Sequence, residues 1–171
     1  MTSSSSITSD PNYWLTLRAI KDSEKVDVYV HDELAVSRAS KYALRRTCPA
    51  ARYVLNGDCN ATSIVFRPRD NGIGVGAIRH ILRATTLPEI LEATDFEDIP
   101  LGQGFLHNAQ IYEAALALGM ESQVEHIKET LCGEIDNRQL RTEEIDFVCK
   151  FLIGTPVSAY LARSIWCGDK S

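Results

Sequence analysis

No two cysteines, and no cysteine–histidine pair, stand at metal-binding spacing in this 171-residue chain. That argues against a zinc framework. The five cysteines, Cys48, Cys59, Cys132, Cys149 and Cys167, are scattered and odd in number. They read as reduced thiols, as expected of a cytoplasmic or nuclear protein. There is no Gly-Lys-Ser/Thr step, so no P-loop. No apolar run is long enough to span a bilayer. The start, MTSSSSITSDP, lacks both a basic segment and an apolar core, so it does not read as a secretory signal. Basic residues are outnumbered, 18 against 23 acidic, for a net charge of −5. That balance argues against nucleic acid or an anionic membrane as the main partner. No internal repeat is visible.

What is present is enough apolar content for a packed core, 44% of residues. Ser/Thr-rich residues 1–10 read as a mobile tract within a flexible N-terminal segment, 1–23. Residues 11–20, PNYWLTLRAI, fit both a strand and a helix template. From Val26 the pattern sharpens. Val26, Val28 and Val30 alternate with Asp27, Tyr29 and His31, the period of a strand with one buried face. His31-Asp32-Glu33 is a polar turn, and Leu34 and Val36 resume the alternation, predicting a hairpin. Ser37 or Ser40 caps a helix through Tyr42, Ala43 and Leu44. Pro49 opens a second helix through Tyr53, Val54 and Leu55, which Gly57 ends.

This order resembles the opening of the BTB/POZ domain family. Val26-Asp27-Val28, Val36-Ser37-Arg38-Ala39, Cys48-Pro49 and Leu55-Asn56-Gly57 stand where that family has its first strand, hairpin return, Ser-Pro step and helix stop. Ser37 and Ala51 depart from the family's usual His and aromatic, as in a divergent member. Ser63 to Arg67 as a short strand, and Ile78, Ile81 and Leu82 as one helical face, continue the resemblance. So do QIYEAALALGM, 110–120, and the helix of Val124, Ile127 and Leu131, ending at Cys132 or Gly133. The resemblance covers about residues 24–133. It implies an α/β (α+β) fold, a small mixed sheet surrounded by helices. Residues 134–171 read as a C-terminal helical extension. There Thr142 caps a helix with Ile145, Val148, Cys149 and Leu152 on one face, Cys149 being a buried, inert thiol. Gly154 stops it, and Thr155 and Pro156 start a last helix.

By that resemblance the function is protein–protein interaction without catalysis or cofactor, as a homodimer or an adaptor. Tyr13, Trp14, Leu15 and Leu17, ahead of the core, are the candidate partner contacts. Many relatives recruit cullin ubiquitin ligases through a hydrophobic-x-Glu pattern after the second helix. Here Leu55-Asn56-Gly57-Asp58-Cys59-Asn60 lacks the Glu, so the motif gives cullin binding no support.

A competing reading is catalytic. Asp70-Asn71-Gly72-Ile73-Gly74, after a strand, is similar to the Asp-x-Gly-x-Gly box of gyrase-type and histidine-kinase-type ATPases, with Asn60-Ala61 in the place of their Asn-Ala step. The catalytic Glu expected four residues before Asn60 is Asn56. As a dinucleotide motif, Gly72, Gly74 and Gly76 give GxGxG rather than GxGxxG. His31, His80, His107 and His126 lie far apart in sequence, and Arg79, His80 and Arg83 read as a solvated helix face.

Overall fold

The computed structural model describes residues 11–67, 73–87 and 98–168, with side chains from Trp14 to Trp166 within those ranges. The architecture is mixed, with eight helices and a three-stranded sheet among the described residues. Helix α1 spans Pro11–Asp22, then come strands β1 (Lys25–Val30) and β2 (Glu33–Ser40). Helices α2 (Lys41–Thr47) and α3 (Pro49–Gly57) lead to β3 (Ser63–Phe66). Helices α4 (Val75–Thr86), α5 (Phe105–Leu118), α6 (Glu125–Asn137), α7 (Thr142–Phe151) and α8 (Pro156–Gly168) complete the chain.

The sheet order is β2-β1-β3, with β1 antiparallel to β2 and parallel to β3. The valines decide its inner face: Val26, Val28 and Val30 are buried, and Ile64 joins them from β3. The second strand departs from the expected alternation. Ala35 and Val36 are both buried, Ser37 and Arg38 both exposed. A bulge accounts for this. Arg38 adopts a left-handed φ of 56°, and the Asp27 carboxylate accepts the Arg38 N–H at 2.8 Å and the Ser37 hydroxyl at 2.9 Å. The same two bonds, the backbone one foremost, hold the Asp27 carboxyl below its ordinary range.

Local chemistry sets the helix boundaries. Ser40 caps α2, its oxygen accepting from the Ala43 N–H at 3.1 Å. Cys48 then serves twice. Its N–H donates to Leu44 O at the end of α2, and its Sγ accepts the Ala51 N–H at 3.5 Å at the start of α3. The residue is fully buried, and burial pushes its thiol pKa up. Helix α5 ends at Gly119, whose φ of +74° suits glycine. Helix α6 runs four residues beyond Gly133 to Asn137, past the Cys132–Gly133 stop expected from sequence. Ile135 explains the extra turn, being buried in the core.

One core joins the sheet to all the later helices. Val28, Leu44, Ile64, Ile81, Ile111 and Leu131 share it with Phe147, Val148, Leu152, Val157 and Leu161. Helices α7 and α8 therefore pack into the body formed by residues 24–133. Cys149 points the other way and is exposed, contrary to the buried thiol expected there, and Phe147 takes the inward place.

Candidate functional site

Helix α1 resolves the ambiguity of residues 11–20 in favour of a helix. Its inner face is Leu17 and Ile20, which with Ala43 of α2 form a small cluster apart from the main core. Leu17 is thus buried against the chain's own α2 and is not available to a partner, a correction to its place among the expected contacts. Its C-terminal end is tied down by polar contacts. Lys25 Nζ donates to Ile20 O at 2.6 Å, and the Ser23 and Ser40 hydroxyls meet at 2.5 Å. The outer face keeps Trp14 and Leu15, 59% and 65% exposed. Tyr13 lies in the first turn, its side chain outside the described residues. Tyr42 of α2 is exposed on the neighbouring helix.

Of the glycine-rich stretch, Asp70, Asn71 and Gly72 lie outside the described residues. Gly74 is the residue preceding α4 and lines a cleft of about 550 Å³. Asn60 lines a different one, of about 540 Å³, with Lys41, Arg45 and Cys59. In that second cleft the buried Lys41 ammonium donates to Glu24 Oε2 at 2.8 Å and to Cys59 O at 2.9 Å. The lysine holds the Glu24 carboxyl below its ordinary range.

The first cleft runs between α4 and α5, beneath the connection 98–104. Three histidines far apart in sequence converge on that connection. His80 Nε2 lies 2.7 Å from Pro100 O, and His126 Nε2 lies 2.8 Å from Ile99 O. In both, a ring N–H facing a carbonyl must donate. His107 Nδ1 accepts the Gln103 N–H at 3.2 Å, and Asn108 Oδ1 accepts the Gly102 N–H at 2.7 Å. The rings of His80 and His107 stand edge to face, 5.5 Å apart. Arg79 is likewise structural. It donates to Ala35 O and Leu34 O, both at 3.0 Å, and pairs with Glu33, so it clamps α4 to β2. Residues 79 and 80 are thus half-buried anchors rather than the solvated face expected. Only Arg83 of that trio is exposed.

The convergence gives a pH dependence. Burial first, and the neighbouring His80 second, push the His107 imidazole below its ordinary 6.5. Protonation would also place a hydrogen on Nδ1, where the Gln103 N–H now donates. The folded protein therefore takes up this proton less readily than the unfolded chain. The contribution is full above pH about 6.5 and is lost as the pH falls below it. Denaturant unfolding of the wild type should show lower stability at pH about 5.5 than at about 7.5, with a shallower drop in His107→Gln. Equal drops in the two proteins would dismiss this role for His107.

Scans of the chain against protein-family models, curated proteins and solved structures each returned no match. Among the described residues no three His, Cys, Asp or Glu side chains gather as a metal site, and no helix is long and apolar enough to cross a membrane. Cys48, Cys59, Cys132 and Cys149 are unbridged.

Proposed function

We propose that this chain is a non-catalytic protein-interaction module of the BTB/POZ kind, a homodimer or an adaptor that engages other proteins. The observation that carries the proposal is the division of α1. Its inner residues, Leu17 and Ile20, fasten it to α2, while Trp14 and Leu15 face outward, large and exposed. A helix fixed on one side and apolar on the other is suited to a partner's surface, and aromatics concentrate binding energy. The order of elements supports the same reading. A β-hairpin, two helices and a parallel third strand precede the helical half, the order that the BTB/POZ resemblance implies. Cullin recruitment has no motif behind it, since the turn after α3 lacks the Glu.

Light scattering on the full chain tests the proposal. The homodimer predicts a mass of twice 19.0 kDa, falling to the monomer in Trp14→Glu/Leu15→Glu. Both side chains lie on the outer face, and a melting curve of the variant separates loss of the dimer from loss of the fold. A full chain that remains monomeric at every concentration would eliminate the homodimer. A dimer untouched by the double substitution would eliminate α1 as the contact.

A further inference from the structure

The cleft between α4 and α5 has a chemical character the interaction reading does not use. Its volume of about 550 Å³ falls in the range of small-molecule sites, roughly 300–1,000 Å³. Its walls are partly apolar, with Ala77, Ala84 and Pro100 among the lining. The polar lining is Arg79, His80, Arg83, His107 and Gln110, and no carboxylate is among the described lining residues of a chain whose net charge is −5.

The hydrogen bonds already made say what the remaining groups offer. Arg79 is spent on β2. His107 Nδ1 accepts from Gln103, so in the neutral ring Nε2 carries the hydrogen and donates. Arg83, exposed one helical turn beyond Arg79, brings a guanidinium, and Gln110 brings an amide one turn along α5 from His107. His80 is oriented by Pro100 O. Apolar walls with a cation and oriented N–H donors suit one ligand class.

We propose that this cleft binds a small organic anion, a carboxylate or phosphate monoester on a compact apolar body, with Arg83 and His107 Nε2 on the charged end. Gly76 provides a handle on the cleft. It lines the space, and a Cβ built on it meets nothing within 4 Å. A larger side chain there is placed to fill the cleft, with no clash at its Cβ.

The test is calorimetric titration of the full chain with phenyl phosphate, benzoate and, as the neutral counterpart, benzamide. Saturable binding of at least one anion is expected, with benzamide silent; which anion binds more tightly identifies the headgroup. Loss of one charge-assisted contact in Arg83→Gln should weaken binding about tenfold. Gly76→Leu should abolish it at an unchanged melting temperature, while Arg46→Gln, in the other cleft, should bind as wild type. The proposal is overturned if neither anion saturates, if benzamide binds equally, or if Gly76→Leu still binds. An equal loss in Arg46→Gln would also overturn it, since the attraction would then be general charge.

Discussion

Arg138→Ala is expected to cost about 3 kcal/mol, at the lower end of what breaking a buried ion pair costs, because the arginine itself is partly exposed. The guanidinium joins α6 to α7. Its Nη1 and Nη2 donate to the two carboxylate oxygens of Glu144 at 2.9 and 2.8 Å, and its Nε donates to Glu134 at 2.9 Å. It also lies over the Phe105 ring, 5.4 Å from the centroid. Glu144 is the vulnerable partner, its side chain only 7% exposed. It also accepts the Arg141 N–H at 2.8 Å, which starts α7. Removing Arg138 strands this carboxylate in the core. For a domain of this size the loss corresponds to roughly 6–12 °C in melting temperature. Glu144→Gln added to Arg138→Ala should recover part of the loss, because the stranded charge is gone. Arg141→Ala breaks the surface pair with Glu143 and removes a minor attraction on Glu144, so it should change little. If Arg138→Ala melts with the wild type, the clasp holds nothing. The acid limb follows with a definite sign. Arg138 above all, and the Arg141 N–H after it, hold the Glu144 carboxyl below its ordinary 4.5. That stability is present above pH about 4.5 and is lost as the pH falls below it, a loss Arg138→Ala should largely lack.

Gly102→Ala is expected to cost about 1–3 kcal/mol, the range for overfilling a packed site. The added Cβ would stand 2.7 Å from His107 Nδ1 and 2.8 Å from Ile111 Cδ1. Ile111 is fully buried, so the imidazole must give way. Its bond to the Gln103 N–H then fails, and the strained turn pulls on the bond between the Gly102 N–H and the buried Asn108. Thermal unfolding measures the cost, and the His107 ring resonances report the displacement. Combining Gly102→Ala with His107→Ala should cost less than the sum of the two single losses, since the imidazole is gone and only the Ile111 contact remains. Fully additive losses would mean that the alanine clashes elsewhere.

Those two sites show which parts of the structure the sequence could reveal. The sheet's inner face was legible because Val26, Val28 and Val30 keep a strict period of two. The helix starts at Pro49 and Pro156 were legible, and the first cap was narrowed to Ser37 or Ser40, because capping is a local affair. The paired burial of Ala35 and Val36 was not, because it depends on Asp27, on the other strand of the hairpin, holding a left-handed Arg38 in a bulge. Leu17 was grouped with Trp14 and Leu15 because residues 11–20 fitted two periods. Only contact with Ala43 separates its faces. Cys149 sat close enough to the apolar stripe of α7 to be counted in it, but the helix turns Phe147 and Val148 inward and leaves Cys149 outside. The histidine convergence had no local signal at all: 80, 107 and 126 lie on three helices that grip one connection separately, and the rings of 80 and 107 also touch. Gly102 gave no warning either, since its constraint comes from side chains on the following helix.

The shared core has a consequence for synthesis. Val28, Val157 and Leu161 belong to one packed cluster, so the core begun by the first strand is complete only with one of the last helices. At roughly 5–20 residues per second, most of the chain emerges before the cluster can close. During that interval the part of the core that Val157 and Leu161 close is uncovered and open to chaperones, and a polypeptide lacking residues 157–168 would be unable to seal its own interior.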